Sequence, residues 1–219
     1  MLGVIFDLDG TLLNTVPDLT TAANAMLAHY GVRRVSERQV MDYLGHGLSV
    51  LVKKALPPEA QIDPIEALEV FNHAYAQVYR DQTQLYDGIG ELVNTLVSRG
   101  IPVAVVSNKA QIFLDGLVAL HFPDVPFKAV IGERTDLPRK PDPMGLLSAA
   151  QAMNTDPKST ILVGDTEVDA QAAANAGMRM VGVAWGFRPA FALREAGVKT
   201  LLTSPQEMLE LINDYAIME

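Results

Sequence analysis

Six short apolar, β-prone runs alternate with amphipathic helical stretches, and this alternation limits the possible folds more than any other feature of the chain. The runs are Leu2–Phe6, Pro102–Val106, Ala129–Ile131, Thr160–Val163, Met180–Ala184 and Thr200–Leu202. Helical patterns lie among them near Gly88–Ser98, Gln111–Leu120, Pro143–Met153, Val168–Ala176, Pro189–Ala196 and Pro205–Asp214. Near-continuous apolar runs suit strands buried on both faces. Strands alternating with helices of this length predict βαβ units and an α/β fold with a parallel sheet covered on both sides.

One region breaks the rhythm. From about Thr15 to Gln82 the pattern is helical, without a convincing strand. Leu19, Ala22, Ala23, Met26, Leu27 and Tyr30 recur at helical spacing. Ser36 is placed to cap a second helix through Val40-Met41-Tyr43-Leu44. Gly45-His46-Gly47 interrupts, then come Leu48–Leu56, a Pro57-Pro58 break and a long helix over Pro64–Arg80. The expected organisation is a core of residues 1–14 and 83–219 with a helical insertion at 15–82. Open α/β sheets bind ligands beyond the carboxyl ends of their strands. An insertion after the first strand is therefore expected to act as a lid.

Composition removes several function classes. The chain has no cysteine, which excludes a disulfide scaffold, a thiol nucleophile and thiolate-built metal sites. A formal net charge of −9 argues against a nucleic acid partner, because such binding rests on neutralising phosphates with Lys and Arg. No apolar run approaches the roughly 18 residues of a membrane span. The start of the chain lacks the basic n-region and long apolar stretch of a signal peptide, so a cytoplasmic location is expected.

Four segments at predicted strand ends carry chemistry. Asp7-Leu8-Asp9-Gly10-Thr11 follows the first run, and paired acids in a confined site repel each other unless a cation or shared proton compensates. On its own, this could equally be a polar turn. Gly164-Asp165-Thr166-Glu167-Val168-Asp169 ends another run. Asp165 and Asp169, one helical turn apart, can lean towards one point, whereas Glu167 reads as a solvated charge in the first turn of a helix. Clustered acids call for a hard cation, and Mg²⁺, held by a few carboxylates plus water and substrate phosphate, fits. Ser107-Asn108-Lys109 ends the Pro102–Val106 run. The Ser107 hydroxyl, the Asn108 backbone N–H and a following helix N-terminus would make an anion cradle. Lys140 sits between prolines in Leu137–Pro143 and balances the acids, while Arg139 reads as surface charge. A nucleophilic carboxylate, a second carboxylate, a metal, an oxygen cradle and a lysine together match phosphoryl transfer through an aspartyl-phosphate.

These residues strongly resemble the haloacid dehalogenase superfamily of phosphohydrolases, with Asp7-x-Asp9-Gly10-Thr11, Ser107, Lys140 and Gly164-Asp165-x-x-x-Asp169 in order. Leu12–Leu19 and Tyr86-Asp87-Gly88 resemble the phosphoglycolate phosphatase branch. Asn14 departs from it, standing where many relatives carry an acid. The resemblance implies a Rossmann-like parallel-sheet core with an inserted helical cap domain. It implies Asp7 as nucleophile, and Asp9 as the acid that protonates the leaving oxygen and then activates water. Mg²⁺ would be held by Asp7, the Asp9 backbone carbonyl and Asp165, with Asp169 as a direct or indirect support. Thr11, Ser107, Asn108 and Lys140 would serve the phosphoryl group.

The implied substrate is a small anionic phosphate ester such as 2-phosphoglycolate or a sugar phosphate. A phosphomutase of the β-phosphoglucomutase type is the alternative, and a non-catalytic phosphate-binding protein a further one. His46, Lys53 and Arg188 are candidates for recognising the leaving group. Each also has an ordinary reading, as turn packing for His46, a solvated charge for Lys53 and a surface role for Arg188. The expected state is a monomer or a homodimer.

Overall fold

The computed structural model describes residues 1–217, with side chains through Asn213. In chain order the elements begin with β1 (Gly3–Phe6), β2 (Leu13–Asn14), α1 (Val16–His29), α2 (Glu37–Tyr43), α3 (Leu48–Ala55), α4 (Pro64–Val78) and β3 (Gln84–Leu85). Next are α5 (Ile89–Ser98), β4 (Val103–Ala110), α6 (Gln111–His121), β5 (Val130–Glu133), α7 (Met144–Met153) and β6 (Thr160–Gly164). Last are α8 (Glu167–Ala176), β7 (Arg179–Val183), α9 (Ala190–Glu195), β8 (Thr200–Leu202) and α10 (Pro205–Ile217).

By its contacts the chain divides into two compact units, residues 1–13 with 85–219, and residues 14–84. The larger unit is a six-stranded sheet of order β5-β4-β1-β6-β7-β8, with every pair parallel. The six apolar runs are these six strands. Val4, Ile5 and Phe6 of β1 are fully buried, as a central strand covered on both faces requires. Under α7 and α8, Ile5, Ala104 and Leu162 pack with Leu146, Ala149, Met153, Ala172 and Ala176. Because the sheet is parallel, the carboxyl ends of β1, β4 and β6 lie along one edge, which gathers Asp7 and Asp9, Ser107–Lys109, and Asp165 and Asp169 from three distant segments.

The smaller unit is helical. Ser36 caps α2 as expected, with Gln39 completing a reciprocal capping box. Buried Asp18 of α1 accepts hydrogen bonds from the backbone N–H groups of Gln82 and Thr83 and from Thr83 Oγ1, at 2.8–3.1 Å, which closes the unit where the chain leaves α4. The two-residue strands β2 and β3 pair with each other where the chain passes between the units. Among the described residues no helix is long and apolar enough to cross a membrane.

Candidate active site

Asp7 follows β1 directly, and its N–H donates to Val163 O at 2.9 Å, so the strand pairing continues to the carboxylate's own backbone. Oxygens of Asp7, Asp165 and Asp169 all lie within 4.8 Å of one another, and all three residues are buried. Lys140 Nζ is 2.9 Å from Asp7 Oδ1 and donates to Asp169 Oδ1 at 2.6 Å and to Val106 O at 2.9 Å. Asn108 Nδ2 donates to the Lys140 carbonyl, so this side-chain amide serves the lysine loop. The Asp7 Oδ1 contact lacks hydrogen-bond geometry, which leaves that oxygen buried without a hydrogen bond.

Burial pushes the Asp7 carboxyl up to about 6, with repulsion from Asp169 and Asp9 adding to the rise and Lys140 opposing it. Burial, then the Asp169 and Asp7 charges, raise Asp165 well above the carboxylate range. Burial alone would lower the Lys140 ammonium, but the Asp169 and Asp7 carboxylates outweigh it and hold it above its ordinary value. A buried acid oxygen short of a donor, beside a second acid that is costly to ionise, suits a divalent cation. Carboxylate oxygen donors suit a hard one.

The acids differ in how much of each carboxylate is already engaged. Asp169 gives Oδ1 to Lys140 and Oδ2 to the Thr166 N–H and Oγ1, at 3.1 and 2.6 Å, as the N3 partner of a capping box on α8. Asp165 accepts from Thr11 Oγ1 at 3.2 Å and from Phe187 N at 2.7 Å. Close backbone approach supports this arrangement. At Gly10, with φ of +86°, a Cβ would lie 2.3 Å from Asp165 Oδ2. At Gly186 it would lie 2.3 Å from Asp165 Cβ and 2.5 Å from Gly10 O. Both positions therefore require glycine.

Asp9 is held by Lys109, whose Nζ is 2.9 Å from Oδ1 and 3.3 Å from Oδ2. Sequence reasoning passed over Lys109, Thr166 and the Trp185–Phe187 loop, where Trp185 Nε1 donates to Thr11 O at 3.1 Å. Tyr86 also belongs to this neighbourhood, its hydroxyl held above the ordinary phenol value by burial and by the Asp165 and Asp9 charges.

Two expectations are corrected. The Pro102–Val106 strand, expected to end before Ser107, continues as β4 to Ala110, while α6 starts at Gln111, where the helical pattern placed it. The β4–β5 pairing shifts register between Val106 and Ala110, and that irregularity absorbs Ser107–Lys109. Glu167, expected to be solvated, is half-buried and pairs with Arg188 at 2.9 and 3.2 Å, so the Arg188 guanidinium is spent on a carboxylate of its own chain. Arg139 lies at the surface, paired with Glu133. His46 and Lys53 are exposed and belong to the 14–84 unit.

Residues 4–183 match the haloacid dehalogenase-like hydrolase family. The phosphoglycolate phosphatase of Nitrosospira multiformis is 35% identical over 215 residues, which cover 95% of this chain and 94% of that protein. That of Vibrio cholerae is 35% identical over 191 residues, 84% of each. Among solved structures, a candidate phosphoglycolate phosphatase from Lactobacillus delbrueckii subsp. bulgaricus has a TM-score of 0.89 at 30% identity, covering 96% of this chain and 97% of that one. Fold, acid cluster and relatives agree along nearly the whole length, and the chain belongs to the haloacid dehalogenase-like hydrolase family.

Proposed function

We propose that the protein is a Mg²⁺-dependent phosphatase that hydrolyses a small phosphate monoester, 2-phosphoglycolate or a sugar phosphate, through an aspartyl-phosphate on Asp7. The observation that carries this reading is Asp7 Oδ1, buried, without a hydrogen bond and 2.9 Å from the Lys140 ammonium. The names of the relatives at 35% identity support the substrate and favour hydrolysis over phosphomutase chemistry.

Asp7 would attack phosphorus as the ester oxygen departs with a proton from Asp9. Water would then attack the phosphorus of the aspartyl-phosphate, returning a proton to Asp9 and freeing the Asp7 carboxylate. Lys140 would steady the charge shared between Asp7 and the phosphoryl group, with Ser107, Thr11 and the Asn108 backbone lining its place. Asp7, Asp165 and the Asp9 carbonyl would hold Mg²⁺, which supplies positive charge against the acids and the phosphate. Asp169 would support it indirectly by aiming Lys140. The 14–84 unit, inserted straight after the nucleophile loop, would act as a cap choosing the leaving group, with His46 and Lys53 as its candidate contacts.

Release of p-nitrophenol from p-nitrophenyl phosphate tests the reading. It should require Mg²⁺, stop with EDTA and vanish in Asp7→Asn. Turnover surviving Asp7→Asn would rule out the covalent route. A panel of esters compared by kcat/KM would identify the substrate.

A further inference from the structure

Asp9 is held differently from the other acids. Asp7, Asp165 and Asp169 are tied by Lys140, Thr11, Phe187 and Thr166, whereas the Asp9 carboxylate is gripped across both oxygens by Lys109. We propose that Lys109 is a positioning residue for the reaction, fixing Asp9 in the orientation from which it serves first the leaving oxygen and then the water. The inference rests on the acid–base reading of Asp9 above and adds a residue outside the four motifs.

The two side chains are unequally enclosed. Lys109 is 1% exposed and Asp9 17%, so the ammonium is buried and the acid keeps an open edge. Burying an ammonium is costly unless a counter-charge and hydrogen bonds compensate. Lys109 therefore stays with Asp9 instead of sampling solvent as a surface lysine does.

Backbone geometry fixes both ends of the pair. Lys109 lies where the β4–β5 register shifts between Val106 and Ala110, the kind of irregularity that re-aims a side chain. Its N–H lies 3.4 Å from Ser107 Oγ. Its carbonyl runs so close to Gly132 that a Cβ there would be 2.7 Å away. On the other side, Asp9 bridges to Leu13 and Gly10 N donates to Leu13 O at 2.9 Å. An acid that must serve two successive steps gains most from such fixed alignment.

The test uses the full chain with Mg²⁺ and two esters. p-Nitrophenolate leaves without needing a proton, whereas the alkoxide of 2-phosphoglycolate, or of the alkyl ester turned over fastest, needs one. Lys109→Met should lower kcat on the alkyl ester roughly 100-fold, leave KM within about threefold, and cost at least about fivefold less on p-nitrophenyl phosphate. Lys109→Arg should recover part of the loss. In an Asp9→Asn background Lys109→Met should add nothing, because it acts through Asp9.

Equal losses on both esters, an effect on KM alone, or additive losses in the double variant would overturn the assignment. If Lys109→Met does not fold, Lys109→Arg decides by the same comparison of the two esters. An unsubstituted enzyme inactive on every ester would overturn the phosphatase reading itself, and one still active as Asp7→Asn would overturn its covalent route. Normal kinetics in Lys109→Met beside an active parent would overturn only the role of Lys109.

Discussion

Lys140 Nζ lies 2.6 Å from Asp169 Oδ1, with both side chains almost wholly buried. The lysine that faces Asp7 is thus aimed by a carboxylate whose other oxygen is committed to Thr166. Asp165 has a different task, since its two oxygens accept only from Thr11 and Phe187 among the bonds described and share the cluster with Asp7. The two acids should separate in a metal titration. Asp165→Asn should weaken Mg²⁺ binding at least about 10-fold, measured calorimetrically. Asp169→Asn should change that affinity much less while lowering kcat roughly 10–100-fold, as Lys140 loses its guide. Equal metal losses in both variants would make Asp169 a direct ligand.

The raised Asp7 carboxyl sets a pH dependence. Below the ordinary value of 3.8 both folded and unfolded chains carry the proton, so Asp7 contributes no difference. Between 3.8 and about 6 the unfolded chain ionises while folded Asp7 resists. This contribution therefore lowers the stability of the metal-free protein as pH rises through that window, and the penalty is complete above it. Asp165, shifted in the same direction, adds to the effect. A cation must displace those protons, so Mg²⁺ should bind about tenfold more weakly at pH 5 than at pH 7.5. Melting curves with and without Mg²⁺ check this. The Tm increment should be larger at pH 7.5, and a larger increment at pH 5 would contradict the assignment.

The Trp185–Phe187 loop supports Asp165 from behind. Phe187 N and Gly186 press on that carboxylate while Trp185 anchors to Thr11, whose hydroxyl also reaches Asp165. Gly186→Ala would set a methyl 2.5 Å from the Gly10 carbonyl, and a backbone atom cannot yield as a flexible side chain can. Mg²⁺ affinity should fall roughly 10–100-fold, with a smaller effect on overall stability because the loop can move outward. Unchanged Mg²⁺ binding in a folded Gly186→Ala protein would show that the loop does not position Asp165.

What the sequence made legible follows from how local each signal is. Six strands and their order of alternation were readable because burial on both faces writes an apolar run into each of them, as in Val103–Val106 and Ile161–Val163. Asp7, Asp165 and Lys140 were readable because each stands beside such a run or within a proline-fixed loop. The Lys109–Asp9 pair joins residues 100 positions apart, and Trp185–Thr11 spans 174. Nothing in the local pattern of either partner announces the other. The β4 extension escaped for a related reason: Ala110 pairs with Glu133 across a register shift, and polar Ser107–Lys109 resembles a turn when seen without its neighbour strand. Glu167 looked solvated because its partner Arg188 arrives from beyond β7.

Asp18 was visible in the sequence only as part of a branch-like segment, yet the structure buries it completely among donors from the far end of the inserted unit. Its Oδ2 accepts from the Gln82 N–H, the Thr83 N–H and Thr83 Oγ1, and its Oδ1 from the Gln82 N–H. Asp18→Asn would set an amide NH₂ against the Gln82 N–H in place of the Oδ1 acceptor and remove the charge that all three donors face. The cost should be about 3 kcal/mol, and for Thr83→Val, which removes one bond to a charged acceptor, about 1.5 kcal/mol. Because the two residues share one interaction, the double variant should cost little more than Asp18→Asn alone. Hydrogen exchange gives the sharper readout. The Gln82 and Thr83 amides should be protected in the parent protein and exchange much faster in Asp18→Asn, while amides of the central sheet strands keep their protection. Fast exchange at Gln82 and Thr83 in the parent would mean that the carboxylate does not close the unit in solution.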